Sequence, residues 1–136
     1  MSVDLSSLDP YLPELLSGRP LAVLTGAGVS VESGLPTFRG PGGLWEGHRP
    51  EELATQEAFT KDPVKVWRWY EWRRGLVRDA RPNDAHLALA RIERLLPRST
   101  VVTQNVDGLH RAAGQHNLIE LHGSLHRTRC TQDGAV

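Results

Sequence analysis

The feature that most constrains this chain is a short apolar run, Leu21-Ala22-Val23-Leu24, that leads straight into Thr25-Gly26-Ala27-Gly28-Val29-Ser30. Four apolar residues bounded by turn residues read as a buried strand. Two glycines directly after a strand let the backbone approach a pyrophosphate and offer its N–H groups to the oxygens. The same pattern also serves as a plain tight turn between a strand and a helix. It is not the full dinucleotide fingerprint, because Val31 stands where a third glycine is expected, and it is not a P-loop, because no Gly-Lys-Ser/Thr follows. From Thr25 to Gly47 the chain carries seven glycines and two prolines, Pro36 and Pro41. This stretch is expected to be a long loop, with a short helix near Val29 to Ser33. Loops of that length inside a compact domain are usually functional.

Downstream the signals turn helical. Asp62 is a good N-cap and Pro63 suits the first helical position, so a helix is expected from there to about Asp79. Pro82 separates it from a second helix capped by Asn83 or Asp84. Ala85, Ala88, Leu89, Ile92, Leu95 and Leu96 follow at helical spacing, and Pro97 ends the run. Thr100 to Thr103 and Leu118 to Leu121 read as two further short strands. Strands alternating with helices predict an α/β fold with a parallel sheet and crossover helices. Ligands of such sheets sit beyond the carboxyl ends of the strands, where all three loops here are polar and glycine-bearing. Three strands alone would leave an exposed parallel edge.

Composition removes several classes of function. Among 136 residues, Lys plus Arg total 16 and Asp plus Glu total 16, so the formal charge is zero and nothing in it favours nucleic acid or an anionic membrane. One cysteine excludes a disulfide framework. No apolar run approaches the ~20 residues of a membrane span. Met1 to Gly18 carries Asp4, Asp9 and Glu14 and has neither an apolar signal core nor an Arg-rich transit pattern, so the cytoplasm is the expected location.

Three stretches taken together resemble one family. The segment Gly26-Ala27-Gly28-Val29-Ser30-Val31-Glu32-Ser33-Gly34-Leu35-Pro36-Thr37-Phe38-Arg39-Gly40 is similar to the first signature of the sirtuins, the NAD-dependent protein deacylases. Thr103-Gln104-Asn105-Val106-Asp107-Gly108-Leu109-His110, followed by Ala113-Gly114, resembles the second, and Glu120-Leu121-His122-Gly123 the third. The resemblance runs from about Pro20 to Cys130. It implies the N-terminal half of a Rossmann-like sheet, ending where a small zinc module begins, and a family catalytic core nearly twice as long as this chain.

The resemblance also implies roles. Gly26, Ala27 and Gly28 would cradle the NAD pyrophosphate, with Glu32, Thr37, Phe38, Arg39 and Trp45 also on the cofactor; Phe38 would cover the reacting ribose and Arg39 would lie near the phosphates. Gln104, Asn105, Val106 and Asp107 would meet the ribose and the nicotinamide amide, with Asp107 accepting from its NH₂. Carboxamides suit that task because each offers donors and an acceptor. By their residue types alone, these side chains could equally close a polar turn on their own backbone. His122 would be the general base, since an imidazole titrates near neutral pH. In the family's reaction the acyl-lysine oxygen attacks C1′ of the ribose, nicotinamide leaves, and the histidine activates a ribose hydroxyl, giving free lysine and O-acyl-ADP-ribose. His48, His86, His110, His116 and His126 are expected to be structural or superficial.

Trp67, Trp69 and Trp72 point in different directions from the first long helix, which is therefore expected to be covered on more than one side. Tyr70 and Arg73 share a face. They match the Tyr-x-x-Arg motif of the sirtuin branch that removes succinyl, malonyl or glutaryl groups, and Thr37 and Gly42-Gly43-Leu44-Trp45 look like that branch too. An arginine fork pairs with a carboxylate and a tyrosine hydroxyl adds a bond. On an isolated helix the alternative is an exposed arginine stacked on neighbouring tryptophans. Cys130 would be the first zinc cysteine, but Asp133 stands at the next ligand position and the later cysteines are absent. With His126 these do not make a tetrahedral site, so Cys130 is expected as an unliganded thiol.

The expected function is an NAD-dependent deacylase acting on acylated lysines of proteins, removing succinyl or malonyl groups and also acetyl. The alternatives are a non-catalytic NAD- or ADP-ribose-binding fragment and a mono-ADP-ribosyltransferase. A conventional dehydrogenase is disfavoured by Val31 and by the lack of an acidic residue closing a second strand about 20 residues on.

Overall fold

A computed structural model describes residues 6–37, 43 and 49–136. A 3-10 turn, Ser6–Tyr11, leads into a one-turn helix α1, Leu12–Leu15, neither of which buries a residue. Strand β1, Leu21–Thr25, is followed by a 3-10 helix, Ala27–Ser33, which Gly34 ends in the left-handed conformation at φ 83°. Helix α2, Gln56–Lys61, was not signalled by periodicity; the Thr55 hydroxyl caps it by accepting from the Ala58 N–H.

Helix α3, Pro63–Arg78, starts as its cap predicts: Asp62 accepts from the Lys65 N–H, and Pro63 takes the first helical position. Helix α4, Asp84–Leu95, is capped by Asn83, whose side chain accepts from the Ala85 and His86 N–H groups while the His86 ring accepts from the Asn83 N–H. Strand β2, Ser99–Thr103, a short helix α5, Leu109–Ala112, and strand β3, Leu118–Glu120, complete the order.

The sheet is parallel throughout, in the order β1-β2-β3, with Thr25 opposite Thr103 and Thr103 opposite Glu120. All three strands therefore end on one line, and the loops that follow them converge at the same edge. The N–H of Gln104 reaches back to the Thr25 carbonyl and that of Leu121 to Thr103, which carries the alignment one residue past the strands.

Burial corrects three expectations. The first strand is half-buried rather than buried: Leu24 is 67% exposed and, through Val102, lies in one row with Ile119, itself 51% exposed. Helix α4 packs on β2, and the buried face of the sheet carries Ser99, Val101 and Thr103. The inward face of α4 is not the aliphatic stripe; His86 and Ala90 are its buried residues, and Leu95 is 78% exposed. Helix α3 buries one face, Val66, Trp69 and Arg73, and leaves Trp67 and Trp72 about half exposed, so it is not covered on several sides. The core is completed by Leu35, Leu53, Leu109 and Leu125. Each such side chain contributes roughly 1.5–3 kcal/mol by leaving water. Among the described residues no helix is long and apolar enough to cross a membrane.

Candidate functional site

A cavity of about 1110 Å³ opens beyond the carboxyl ends of the strands. Its wall is built from five places in the chain, among them Pro50 to Phe59 around the start of α2. The glycine turn contributes Ala27 and Gly28, and Thr37 follows. The loop after β2 contributes Gln104, Asn105 and Val106. Helix α3 contributes Tyr70, Arg73 and Arg74. The segment after β3 contributes His122, Ser124 and Leu125. Four arginines line it (73, 74, 127 and 129), of which Arg74 pairs with Glu71 and Arg127 with Glu120. A smaller cavity of about 40 Å³ adjoins it, sharing Ala27, Arg73, Asn105, Val106 and Leu125 and adding Ser30 and Asp107.

The glycine turn is held from below rather than filled from above. The Asn105 side chain donates to the Gly26 carbonyl at 3.0 Å, and that of Asn83 donates to the Val29 carbonyl at 2.7 Å. A Cβ placed on Gly26 or Gly28 would meet nothing within 4 Å, and neither residue has positive φ. The protein itself therefore does not require glycine there. The open space leaves the backbone N–H groups within reach of a ligand's oxygens.

Asp107 is bonded within the protein and lines the smaller cavity. Its carboxylate accepts from the Ser30 hydroxyl at 2.7 Å and from the Leu109 N–H at 2.9 Å, and the residue is buried. Both oxygens are engaged by the protein, so Asp107 shapes the loop in the manner of an Asx turn. Asn105 likewise divides its NH₂ between Gly26 and Ser30. Ser30 thus joins the glycine turn to the loop after β2, a role that residue types alone did not reveal.

His122 lies two residues beyond β3, not within it, and is exposed on the cavity wall. Arg73 is buried, with its guanidinium 4.7 Å from the Trp69 ring centre and 5.6 Å from that of Tyr70. It is stacked as anticipated, but inside the protein rather than on its surface. Burial lowers its pKa, while Tyr70 and the Asp107 carboxylate act in the opposite sense. His110 is structural: it is buried, its ring lies 4.7 Å from that of His86, and its Nε2 meets the Thr25 hydroxyl at 2.9 Å. His126 donates from Nε2 to the Asp107 carbonyl at 2.9 Å.

Several expected positions are not brought to the cavity. Glu32 is exposed on the 3-10 helix, and Gly26, the N-cap of that helix, is not among the lining residues. Phe38, Arg39 and Trp45, with Gly40, Gly42 and Leu44, fall outside the described residues. Cys130 is an exposed free thiol, and no group of three or more metal-binding side chains occurs among the described residues. Asp133 accepts from the Ala135 N–H, and with the Cys130 thiol beside it this lowers its pKa; the residues present do not fit a zinc ion.

Residues 26–136 match the Sir2 family. This chain belongs to the Sir2 family. It is 57% identical over 122 residues to NAD-dependent protein deacylase 2 of Pyrobaculum aerophilum, covering 90% of this chain and 49% of that protein. NAD-dependent protein deacylase 1 of Archaeoglobus fulgidus is also 57% identical, over 123 residues, covering 90% and 50%. A crystal structure of a Sir2 homologue–NAD complex superimposes with a TM-score of 0.83 at 54% identity, covering 93% of this chain and 49% of that one. A Sir2–p53 peptide–NAD⁺ structure does so with a TM-score of 0.76 at 33% identity, covering 94% and 50%. The chain spans about half the length of the curated relatives it matches, and the Sir2 signatures lie in the half that is shared.

Proposed function

We propose that this chain carries the nicotinamide-ribose and acyl-lysine side of an NAD-dependent protein-lysine deacylase with a preference for acidic acyl groups. The observation that carries the reading is the single cavity shared by Gly28, Gln104, Asn105, His122, Tyr70 and Arg73. NAD, when bound, supplies the glycosidic bond whose cleavage drives acyl transfer, giving nicotinamide and O-acyl-ADP-ribose. The chain's own residues do the rest. The backbone at Ala27 and Gly28 makes room for the phosphates. The carbonyl oxygens of the Gln104 and Asn105 side chains are available to hydroxyl or amide donors. The exposed imidazole of His122 takes a proton from a ribose hydroxyl as general base.

The acyl preference rests on Arg73 and Tyr70 lining the same wall as His122. A cation held in a buried stack binds a carboxylate more strongly than an exposed one, and an uncharged acyl group leaves it without that partner. The names of the relatives support deacylation of proteins, and the peptide complex supports a protein substrate.

The experiment is a mass-spectrometric assay of this chain with NAD and matched succinyl-lysine and acetyl-lysine peptides, with NAD binding measured in parallel. NAD-dependent loss of succinyl with O-succinyl-ADP-ribose as product is expected. His122→Ala should abolish turnover and keep NAD binding; full turnover in that variant rules out the base assignment. Arg73→Met should lower desuccinylation about tenfold more than deacetylation; equal losses count against the acyl preference. NAD binding without any turnover makes the chain a binding module instead. Labelled ADP-ribose on protein makes it a transferase.

A further inference from the structure

We infer that Arg74 is a positioning residue that fixes the helix carrying Tyr70 and Arg73 against the segment carrying His122, and that this register sets the acyl preference. The inference rests on the deacylase reading above. Arg74 sits beside Arg73 but uses its guanidinium inside the protein. Nε donates to the Leu125 carbonyl at 2.9 Å, one terminal nitrogen to the Thr128 hydroxyl at 3.1 Å, and the other to Glu71 at 3.1 Å on its own helix. Its planar face lies 4.9 Å from the Trp67 ring centre. The planar fork, stacked on one side and bonded in three directions, has one orientation.

What it holds is the crossbar of the site. Leu125 is buried three residues after His122, and its N–H donates to the Val106 carbonyl at 2.9 Å. The next residue, His126, donates from its ring to the Asp107 carbonyl. The segment from His122 to His126 is therefore tied to the loop after β2 by two bonds of its own. It is tied to α3 by Arg74. Helix α3 packs on α2 and buries Val66, Trp69 and Arg73. The Arg74 bonds to residues 125 and 128 set its register against the segment after β3, and with it the distance from the acyl-binding pair to the general base.

The consequence is selective. An acetyl group does not reach for Arg73, so slippage of α3 affects it little, whereas a carboxyl-bearing acyl group must meet Arg73 while its carbonyl stands at the ribose that His122 serves. Small misplacement between such groups is costly. Arg74→Met should lower kcat/KM for the succinyl-lysine peptide about tenfold, mostly in kcat, and for the acetyl-lysine peptide no more than about threefold. Arg74→Lys should not restore it, because an ammonium cannot bond both the Leu125 carbonyl and the Thr128 hydroxyl while stacking on Trp67. Thr128→Val, which removes one bond, should give a smaller loss of the same kind. Equal losses on both peptides, following a fall in Tm, would mean that Arg74 is merely structural.

A second readout needs no turnover. In the 136-residue chain, Arg74→Met should shift the imidazole proton resonances of His122 and speed amide exchange at residues 125–128. Unmoved His122 resonances and unchanged exchange overturn the inference. Arg73→Met separates the two claims. If it leaves the succinyl-to-acetyl ratio unchanged, the acyl reading fails, and with it the claim that Arg74 sets the preference. The nuclear resonance data then still decide whether Arg74 positions the segment.

Discussion

Ser30 and Asp107, 77 residues apart in the chain, are joined by a 2.7 Å hydrogen bond inside the protein. The hydroxyl belongs to the 3-10 helix after the glycine turn and the carboxylate to the loop after β2. With the Asn105 bonds to Gly26 and Ser30, this bond sets how the glycine turn and the loop after β2 face each other. Asp107→Ala would leave the Ser30 hydroxyl and the Leu109 N–H without their acceptor, both in residues that are at most 3% exposed. We expect a loss of about 2–4 kcal/mol in urea unfolding, since each orphaned buried group costs about 1–3 kcal/mol. Ser30→Ala removes a donor to Asp107 and an acceptor for the Asn105 NH₂ and should cost a similar amount.

Gly28→Ala should separate binding from stability. A Cβ there meets no protein atom within 4 Å and the backbone is not left-handed. The free protein should hold its stability or gain about 0.5 kcal/mol, because alanine restricts the unfolded chain. NAD affinity, measured by calorimetry, should fall by at least about tenfold if the backbone touches a phosphate. Unchanged affinity would remove the glycine turn from the cofactor site.

Gly108 is the opposite case. Its φ is +74°, and a Cβ would stand 2.8 Å from the ring of His126, which is itself bonded to the Asp107 carbonyl. Gly108→Ala should cost about 1–3 kcal/mol, from the left-handed backbone and from displacing the ring. Adding His126→Ala should remove the steric part and leave the backbone part. The two substitutions are therefore expected to be non-additive in thermal unfolding, and simple additivity would refute the clash.

The His86–His110 pair predicts a pH dependence with a definite sign. Burial lowers both pKa values, and for His110 the neighbouring His86 lowers it further; Asp107 opposes the shift at each. The folded protein thus holds fewer protons than the unfolded chain below the ordinary histidine value of about 6.5. The stability the pair contributes is present above that pH and is lost as pH falls through the folded values. Each ring adds a slope of up to about 1.4 kcal/mol per pH unit. Urea midpoints should drop between pH 7.5 and 5.5, and His110→Gln should flatten the drop. A profile equally steep in the variant would show that other groups carry it.

Much of the fold is legible in the chain because its physics is local. Asp62, Pro63 and Asn83 act on N–H groups within four residues, so the starts of α3 and α4 could be placed from residue types alone. The glycine turn and the polar loops after β2 and β3 announce themselves by composition in the same way. The face of α4 that turns inward was not legible, because His86 is buried against His110, a partner from a different helix. The internal bonds of Asp107 were not legible for a similar reason: its donors, Ser30 and Leu109, include one that is distant in sequence.

The sequence by itself determined that this is an α/β chain of the Sir2 family, where its strands and long helices lie, and which side chains could do the chemistry. Those properties follow from periodicity, caps and motifs, whose causes act between near neighbours. Only the tertiary structure decided which of those side chains meet. It put Tyr70, Arg73 and His122 on one cavity wall, left Glu32 and Cys130 off it, engaged both oxygens of Asp107 inside, and made Arg74 a staple rather than a surface charge. Contacts between residues fifty or more apart depend on how parallel strands register and how helices settle on them, and no short stretch of sequence carries that information.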